Sequence, residues 1–197
     1  MQHKKAIILF TKNPELGKVK TRLAKTIGDE KALAIYIKLL QHTRDIVAPL
    51  AVDKFVFYSE NSIQDDEWDN AIYSKKTQKG DDLGIRMKKA FEEVFHLNYD
   101  SVCIIGSDCY ELNTTIIEEA FKELQTKDAV IGPTFDGGYY LLGMNTLKKE
   151  LFEDKEWSTA SIFSDTVADF EKLNLNYSSL VKLNDIDEEK DVPTHWI

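Results

Sequence analysis

Residues 102–109, Val-Cys-Ile-Ile-Gly-Ser-Asp-Cys, carry the clearest structural signal in this 197-residue sequence. Four apolar residues are followed by a glycine, and so short a run predicts a strand buried on both faces rather than a helix. Further short apolar runs lie at residues 6–10, 55–58, 129–131 and 139–144, and a last extended segment is predicted at 178–183. Asp108 therefore follows directly on a buried strand.

Helical spacing characterises the stretches between these strands. Apolar residues recur every three or four positions over residues 32–47, 83–95, 116–124 and 162–173. Strands that alternate with helices of this length pair in parallel through right-handed crossovers. We therefore predict an α/β fold, a three-layer α/β/α sandwich with a mostly parallel sheet. Since no linker or repeat interrupts the pattern, we expect one domain over residues 1–197.

The composition argues against several classes of protein. The chain has 25 Lys and Arg against 34 Asp and Glu, a formal net charge of −9, whereas nucleic-acid binders need clustered basic side chains. Hydrophobic residues make up 43% of the chain, but no apolar stretch approaches the roughly 18 residues of a membrane span. Cys103 and Cys109 suggest neither a disulfide framework nor a zinc site, and we see no secretory signal. We expect a cytoplasmic protein.

The loop after the first strand is rich in cations. Ligands of open α/β sheets bind outside the carboxyl ends of the strands, and this loop holds Lys12, Lys18, Lys20 and Arg22. Since surface charges more than about 8 Å apart are largely screened, the acidic net charge of the chain does not prevent an anion from binding here. A helix predicted to begin near Lys20 would add free backbone N–H groups. A solvated basic loop is the alternative, and the position after a buried strand favours an anion site.

Three carboxylates occupy comparable positions later in the chain. Asp108 offers the hard oxygen ligands that Mg²⁺ or Mn²⁺ takes, although an aspartate that caps the next turn would have the same position. Asp185 and Asp187 are two residues apart, so in an extended chain they point to the same side and could share a cation. The acidic run over residues 185–191 could instead begin a solvated helix.

Two further motifs also follow predicted strands. Asp136-Gly137-Gly138 leaves room for a close approach of substrate beside a carboxylate, although a type I′ hairpin turn explains the glycines equally well. Gln78 and Gly80 lie just before a predicted helix. The glutamine amide could bind a nucleobase edge, and the alternative is a helix-start turn with an aspartate cap.

Six motifs, in order and spread over nearly the whole chain, carry a family resemblance. They are Phe10-Thr11-Lys12-x-Pro14-x-x-Gly17-x-x-Lys20-Thr21-Arg22-Leu23, Gln78-x-Gly80-x-Asp82-Leu83-Gly84-x-Arg86-Met87, Ile105-Gly106-Ser107-Asp108-Cys109, Asp136-Gly137-Gly138-Tyr139-Tyr140-Leu141-Leu142-Gly143, Trp157-Ser158-Thr159 and Asp185-Ile186-Asp187. The sequence thereby resembles the small bacterial GT-A-type glycosyltransferases of the nucleotide-diphospho-sugar transferase superfamily, one branch of which is assigned to arsenosugar biosynthesis. Where that superfamily usually has Asp-x-Asp, this chain has Ser107 before a single aspartate.

The resemblance implies a substrate site at the end of the sheet. The first loop would hold the diphosphate of the donor, and the segment around Gln78 would lie near the base. The substrate-binding residues expected on this basis are Thr11, Lys12, Lys20, Arg22, Gln78, Gly80, Gly137, Gly138 and Trp157.

The same resemblance implies a metal ion. Asp108 would bind Mg²⁺ or Mn²⁺, with Asp185 or Asp187 as the second ligand. The ion would bridge the diphosphate and stabilise the leaving nucleoside diphosphate. Asp136 would accept the proton of the acceptor as a general base.

We therefore predict a metal-dependent glycosyltransferase with a nucleotide-sugar donor and a small-molecule acceptor. We expect no nucleic-acid partner and no membrane span, and the residues leave the oligomeric state open. One alternative is a nucleotidyltransferase that joins a nucleoside triphosphate to a phosphorylated small molecule and releases pyrophosphate, because the same loop and carboxylates would serve it. A non-catalytic nucleotide-binding protein is the second alternative.

Overall fold

Strands and helices alternate along the chain in the computed structural model, which describes residues 3–196. Over these residues the strands are β1 (Lys5–Thr11), β2 (Asp53–Tyr58), β3 (Tyr73–Thr77), β4 (Ser101–Ile105), β5 (Ala129–Pro133), β6 (Tyr139–Met144) and β7 (Tyr177–Ser179). The α-helices are α1 (Thr21–Ile27), α2 (Asp29–Val47), α3 (Leu83–Phe95), α4 (Thr114–Glu123) and α5 (Ile162–Lys172), and short 3₁₀ helices span Lys149–Phe152, Glu189–Asp191 and Thr194–Trp196. The expected domain limits, residues 1 and 197, lie outside the described residues.

The strands form one sheet in the order β3-β2-β1-β4-β6-β5-β7. Among the described strands, β6 alone runs antiparallel to its neighbours, β4 and β5, and every other pairing is parallel. This arrangement confirms the predicted α/β fold with a mostly parallel sheet.

Two parts of the sheet differ from the sequence prediction. The run at 139–144 is not reached by a parallel crossover, because residues 134–138 are far fewer than the dozen or so that a crossover needs and instead form a hairpin with β5. The edge strand β3 was not predicted at all. Its sequence, Tyr-Ser-Lys-Lys-Thr, buries only Tyr73, so it has no apolar run.

Helices cover both faces of the sheet, as predicted. Ile7 and Leu9 of β1 share a buried core with α2 and α4, and the alternate residues Ala6 and Ile8 share one with α3 and α5. The period of two in side-chain direction places successive residues of β1 in opposite layers. None of the helices in residues 3–196 is both long enough and apolar enough to cross a membrane.

The centre of the sheet contains a switch in chain direction. β1 and β4 are parallel neighbours, and the chain leaves β1 towards β2 on one side but leaves β4 towards β5 on the other. In open α/β sheets such a point leaves a crevice at the carboxyl ends of the strands. The first loop and the residues after β4 therefore lie side by side.

Candidate functional site

A cleft of about 830 Å³ lies at the carboxyl ends of β1 and β4. The site residues predicted from the sequence line this cleft, except for Gly80 and Gly137. Lys12 reaches it from the loop after β1, Asp108 from the loop after β4, and Asp187 from the segment after β7. Because residues so far apart in the sequence meet here, we take this cleft as the candidate active site.

Lys20 lies at the centre of a charged cluster in the cleft, which consists of Lys20, Arg22, Asp108, Asp185 and Asp187. Its Nζ is 2.6 Å from Asp108 Oδ1 and 3.6 Å from Asp187 Oδ1, and it donates a hydrogen bond of 2.7 Å to the backbone oxygen of Ile186. Only 5% of the Lys20 side chain is exposed. The ammonium group is thus enclosed by oxygen atoms.

The backbone around Lys20 explains how the side chain reaches this position. Lys20 has φ +47° and ψ +43°, the left-handed region, and α1 begins at the next residue. A residue other than glycine is held in that region only at a cost of about 1–2 kcal/mol. The sequence prediction of a helix starting near Lys20 is confirmed, but this left-handed conformation could not be predicted from the residue type.

The segment with Asp185 and Asp187 lies beside Asp108. Both carboxylates line the cleft, whereas Ile186 between them is buried on the other side. The Ile186 backbone N–H donates to the Asp108 backbone oxygen at 2.9 Å. The acidic run does not begin a helix at Asp185, because the next 3₁₀ helix starts only at Glu189.

Burial strongly affects the ionisation of Asp185. Removal from water, and secondly the neighbouring carboxylates Asp108 and Asp136, raise the pKa of Asp185 from 3.8 to about 7. The positive charge of Lys20 acts in the opposite direction. A further cation in the cluster would therefore stabilise the ionised form of Asp185.

The remaining cations of the first loop are more exposed. Arg22 Nη1 lies 3.3 Å from Asp187 Oδ2, and 68% of its side chain is exposed. Lys12 is exposed, but its backbone is fixed, since its N–H donates to the Tyr36 hydroxyl at 2.7 Å and that hydroxyl donates back to its carbonyl at 3.1 Å. Tyr36, which lies 3.3 Å from Ser107 Oγ, was missed from the sequence because it falls on the apolar stripe of α2.

Gln78 connects the ends of two strands. Its Nε2 donates to the carbonyl oxygens of Thr11 at 3.1 Å and Phe57 at 2.9 Å. Both amide protons therefore have acceptors within the protein, so Gln78 can offer a ligand only its carbonyl oxygen. The hydroxyl of Thr11 has no hydrogen-bond partner among residues 3–196, although Thr11 is only 3% exposed. Because Thr11 lines the cleft, its hydroxyl is a candidate hydrogen-bonding group for a bound ligand.

Gly80 and Gly137, predicted as substrate-binding residues, do not line the cleft and are closely packed. Gly80 has φ +140°, and a Cβ there would lie 2.5 Å from Ile85 Cγ2. Gly137 has φ +93°, and a Cβ would lie 2.0 Å from the backbone oxygen of Ala160. Both positions need glycine because neighbouring atoms leave no room for a side chain. Gly137 also lies in the hairpin between β5 and β6.

Asp136 is held by the same hairpin. Its Oδ1 accepts hydrogen bonds from Thr134 Oγ1 at 2.5 Å and from the Gly138 backbone N–H at 3.0 Å. Asp136 is exposed and, like Gly138, lines the cleft. Two donors on one oxygen fix the orientation of the carboxylate.

Trp157 also lines the cleft, where its ring packs against the start of α3. A Cβ added to Gly84, in the first turn of α3, would lie 2.2 Å from the indole of Trp157, so the glycine makes room for this ring. The helix starts at an aspartate cap, since Asp82 Oδ1 accepts from the Ile85 N–H at 2.8 Å. Arg86, which was not predicted as a site residue, also lines the cleft and donates from Nε to the Gly80 oxygen at 2.8 Å.

The charged cluster offers donors suited to Mg²⁺ or Mn²⁺, which prefer carboxylate oxygens. Within the part of the chain that the structure describes, however, no three His, Cys, Asp or Glu side chains are grouped so that they could hold a metal ion together. Asp108 and Asp187 both contact Lys20 instead. The donor chemistry fits a divalent cation, and an ammonium group lies between two of the expected ligands.

Comparison with known families and structures gives two close matches. Residues 43–159 match a family described as an uncharacterized protein conserved in bacteria, DUF2064. A crystal structure of a candidate nucleotide-diphospho-sugar transferase from Desulfovibrio desulfuricans G20 is 33% identical, with a TM-score of 0.86, over 95% of this chain and 84% of that one. The comparison with curated proteins gives no match.

More distant structures share the fold. The 4-diphosphocytidyl-2C-methyl-D-erythritol synthase of Anaerococcus prevotii DSM 20548 superimposes with a TM-score of 0.56 at 13% identity, over 95% of this chain and 92% of that one. A CMP:2-keto-3-deoxy-manno-octonic acid synthetase in complex with CTP gives 0.54 at 10% identity, over 95% and 94%. The solved neighbours thus include nucleotidyltransferases as well as the candidate sugar transferase.

Proposed function

We propose that this chain, which belongs to the DUF2064 family of bacterial proteins, is a metal-dependent glycosyltransferase that moves a sugar from a nucleoside-diphosphate sugar to a small acceptor. The observation that carries the proposal is the 2.6 Å contact between Lys20 of the first loop and Asp108 after β4, inside the cleft. It places a cation-rich loop against a candidate metal ligand, as binding of a diphosphate and its metal ion requires.

The shape and charge of the cleft support a nucleotide-sugar donor. Its volume of about 830 Å³ lies in the range typical of small-molecule sites. Lys12 and Arg22 are exposed cations that would contact the diphosphate, and positive charge at that point stabilises the departing nucleoside diphosphate. The Thr11 hydroxyl and the Gln78 carbonyl oxygen are left for the nucleoside.

Asp108, with Asp185 or Asp187, would hold the metal ion. A divalent cation bound there would supply Lewis-acid stabilisation of the charge that develops on the leaving group. All three carboxylates line the cleft, and they would have to move closer together to share an ion, because within residues 3–196 no three such side chains are grouped to hold one.

Asp136 is the proposed general base. The hairpin fixes the orientation of its carboxylate, and its exposure leaves it open to the hydroxyl of an acceptor. The Trp157 ring, backed by Gly84, provides an apolar face on which a sugar ring can pack.

Product analysis tests the proposal. The protein is incubated with Mn²⁺, a panel of nucleoside-diphosphate sugars and a panel of small acceptors, and separately with nucleoside triphosphates and sugar phosphates. We expect release of a nucleoside diphosphate that depends on metal, acceptor and Asp136. Release of pyrophosphate from the second set would replace the proposal with the nucleotidyltransferase alternative, and saturable nucleotide binding without any turnover would support the non-catalytic one.

A further inference from the structure

The ammonium group of Lys20 occupies the space between two candidate metal ligands. Three oxygen atoms surround Nζ: Asp108 Oδ1 at 2.6 Å, the Ile186 carbonyl at 2.7 Å and Asp187 Oδ1 at 3.6 Å. Carboxylate and carbonyl oxygens around one positive centre are also the surroundings that a hard divalent cation takes. Lys20 therefore has the environment of a bound cation.

This placement is specific to Lys20 and is not shared by its neighbour in the loop. Lys18 also forms a 2.6 Å ion pair, with Glu15, but 56% of its side chain is exposed and it does not line the cleft. Lys20 is 5% exposed, and its backbone is held in the left-handed region at φ +47°. A buried ammonium on a strained backbone requires compensating contacts, and the two carboxylates supply them.

We propose that Lys20 is a positioning residue that holds the place of the metal ion in the ligand-free protein, so that a divalent cation binds Asp108 and Asp187 only after Lys20 has been displaced. The inference rests on the proposed function in one respect, that the site takes a divalent cation. It adds that the protein excludes the divalent cation until another anion can pair with the ammonium group of Lys20.

The diphosphate of the donor is the anion that would pair with the ammonium group of Lys20. Lysine carries a compact charge on a flexible four-carbon stem, so its ammonium can move from a carboxylate to a phosphate oxygen without movement of the backbone. Donor and metal then bind with positive coupling, because each removes the obstacle to the other. Without donor, the ammonium group of Lys20 partly offsets the negative charge of Asp108 and Asp187.

The test is the affinity of the nucleotide-free protein for Mn²⁺ alone, measured from the electron paramagnetic resonance signal of free Mn²⁺. We expect Lys20→Met to bind Mn²⁺ at least about tenfold more tightly than the wild type, within the usual range of coupling between two ligands. Thermal unfolding gives an independent readout: Mn²⁺ should raise the Tm of Lys20→Met more than that of the wild type.

Two further variants separate displacement from a general effect of charge. Lys18→Met removes a paired lysine from the same loop and should leave the Mn²⁺ affinity unchanged. Arg22→Gln removes a charge 3.3 Å from Asp187, but from an exposed side chain, so we expect a change of less than about threefold. An increase with Arg22→Gln as large as that with Lys20→Met would overturn the inference.

Lys20→Gln is a second variant, included in case Lys20→Met fails to fold. It removes the charge but keeps N–H donors for the Asp108 carboxylate and the Ile186 carbonyl, and it should also bind Mn²⁺ more tightly than the wild type. Wild-type affinity equal to that of both Lys20 variants would contradict the inference and leave the transfer reaction standing. Conversely, the expected affinities without any transfer of sugar would contradict the proposed function and leave the role of Lys20 intact.

Discussion

The two ends of the cleft differ in whether their polar and charged side chains have partners within the protein when no ligand is bound. In the charged cluster, Lys20 and Arg22 are both paired with carboxylates. We call the part of the cleft around Trp157 the aromatic end; it is lined by Thr11, Gln78, Arg86 and Trp157, with Gly84 behind the Trp157 ring. Polar groups at this end remain available to bind a ligand. Within the described residues, the Thr11 hydroxyl has no hydrogen-bond partner and Arg86 forms no ion pair.

This difference indicates that the charged cluster and the aromatic end have different roles. Charges that must bind a diphosphate and a metal ion repel or attract one another strongly, so they need internal partners when the ligands are absent. Groups that distinguish one substrate from another act by hydrogen bonding and shape, and their partners arrive with the substrate. We therefore expect substitutions in the charged cluster to affect the chemical step and stability, and those at the aromatic end to affect binding.

The largest effect is expected at Asp108. Asp108→Asn keeps the shape of the side chain but removes the charge that would hold the metal ion and that pairs with Lys20, so kcat should fall by about 10²–10³-fold or more. Asp53→Asn is the matched control, since Asp53 lies at the start of β2, away from the cleft, and accepts from Tyr99. Equal kcat values for Asp108→Asn and the wild type in steady-state assays would contradict the role of the charged cluster in the chemical step.

The second effect concerns stability and pH at Asp185. Because the folded state raises the pKa of Asp185 from 3.8 to about 7, the native protein binds the proton more tightly than the unfolded chain, and its stability falls as pH rises from about 4 to 7. Asp185→Asn, which cannot ionise, should therefore raise the free energy of unfolding at pH 8 by about 2–4 kcal/mol.

Urea unfolding with a chelator present measures this effect. The gain from Asp185→Asn should shrink as the pH is lowered and vanish at about pH 3, where Asp185 is protonated in both states. A gain that stays the same at pH 4 and pH 8 would mean that burial of the charge is not its cause.

The third effect tests the aromatic end through Gly84. Gly84→Ala places a methyl group 2.2 Å from the Trp157 ring and should push that ring out of position, which raises KM for a substrate about tenfold while kcat changes less. In a Trp157→Ala background the added methyl group has no ring to displace, so Gly84→Ala should then have little further effect on KM. Additive effects in the double variant would show that Gly84 does not act through Trp157.

The smallest effect is expected at Thr11. Thr11→Val replaces a buried hydroxyl that has no partner in the described protein, so the free energy of unfolding should not fall. If the ligand supplies the missing hydrogen bond, nucleotide affinity should drop by about three- to tenfold. Thr11→Ser keeps the hydroxyl and should bind nearly as well as the wild type; a loss of affinity as large as that of Thr11→Val would point to the methyl group instead.

The sequence predicted the α/β architecture because its strands are buried on both faces and give short apolar runs that stand out from the helices. It failed for β3, where only Tyr73 is buried and the remaining residues are polar. It also failed for the direction of β6, since an apolar run does not show whether the chain arrives by a hairpin or by a crossover.

The position of most predicted site residues at the cleft followed from a similar reason: they come after strands, and strand ends meet at one edge of a parallel sheet. The packing of Gly80 against Ile85 and of Gly137 against Ala160 could not be predicted, because residue spacing does not show which atoms approach a glycine. The pairing of Lys20 with Asp108 depends on the left-handed backbone at Lys20, which no residue pattern predicts.

The most direct test of the account is the anomalous scattering of Mn²⁺ in crystals grown with Mn²⁺ and a nucleoside diphosphate. The account predicts a Mn²⁺ peak within about 2.5 Å of an Asp108 carboxylate oxygen, with the diphosphate against the first loop and Lys20 moved from Asp108 to a phosphate oxygen. A peak away from Asp108, or a bound diphosphate with the 2.6 Å contact between Lys20 and Asp108 unchanged, would contradict it.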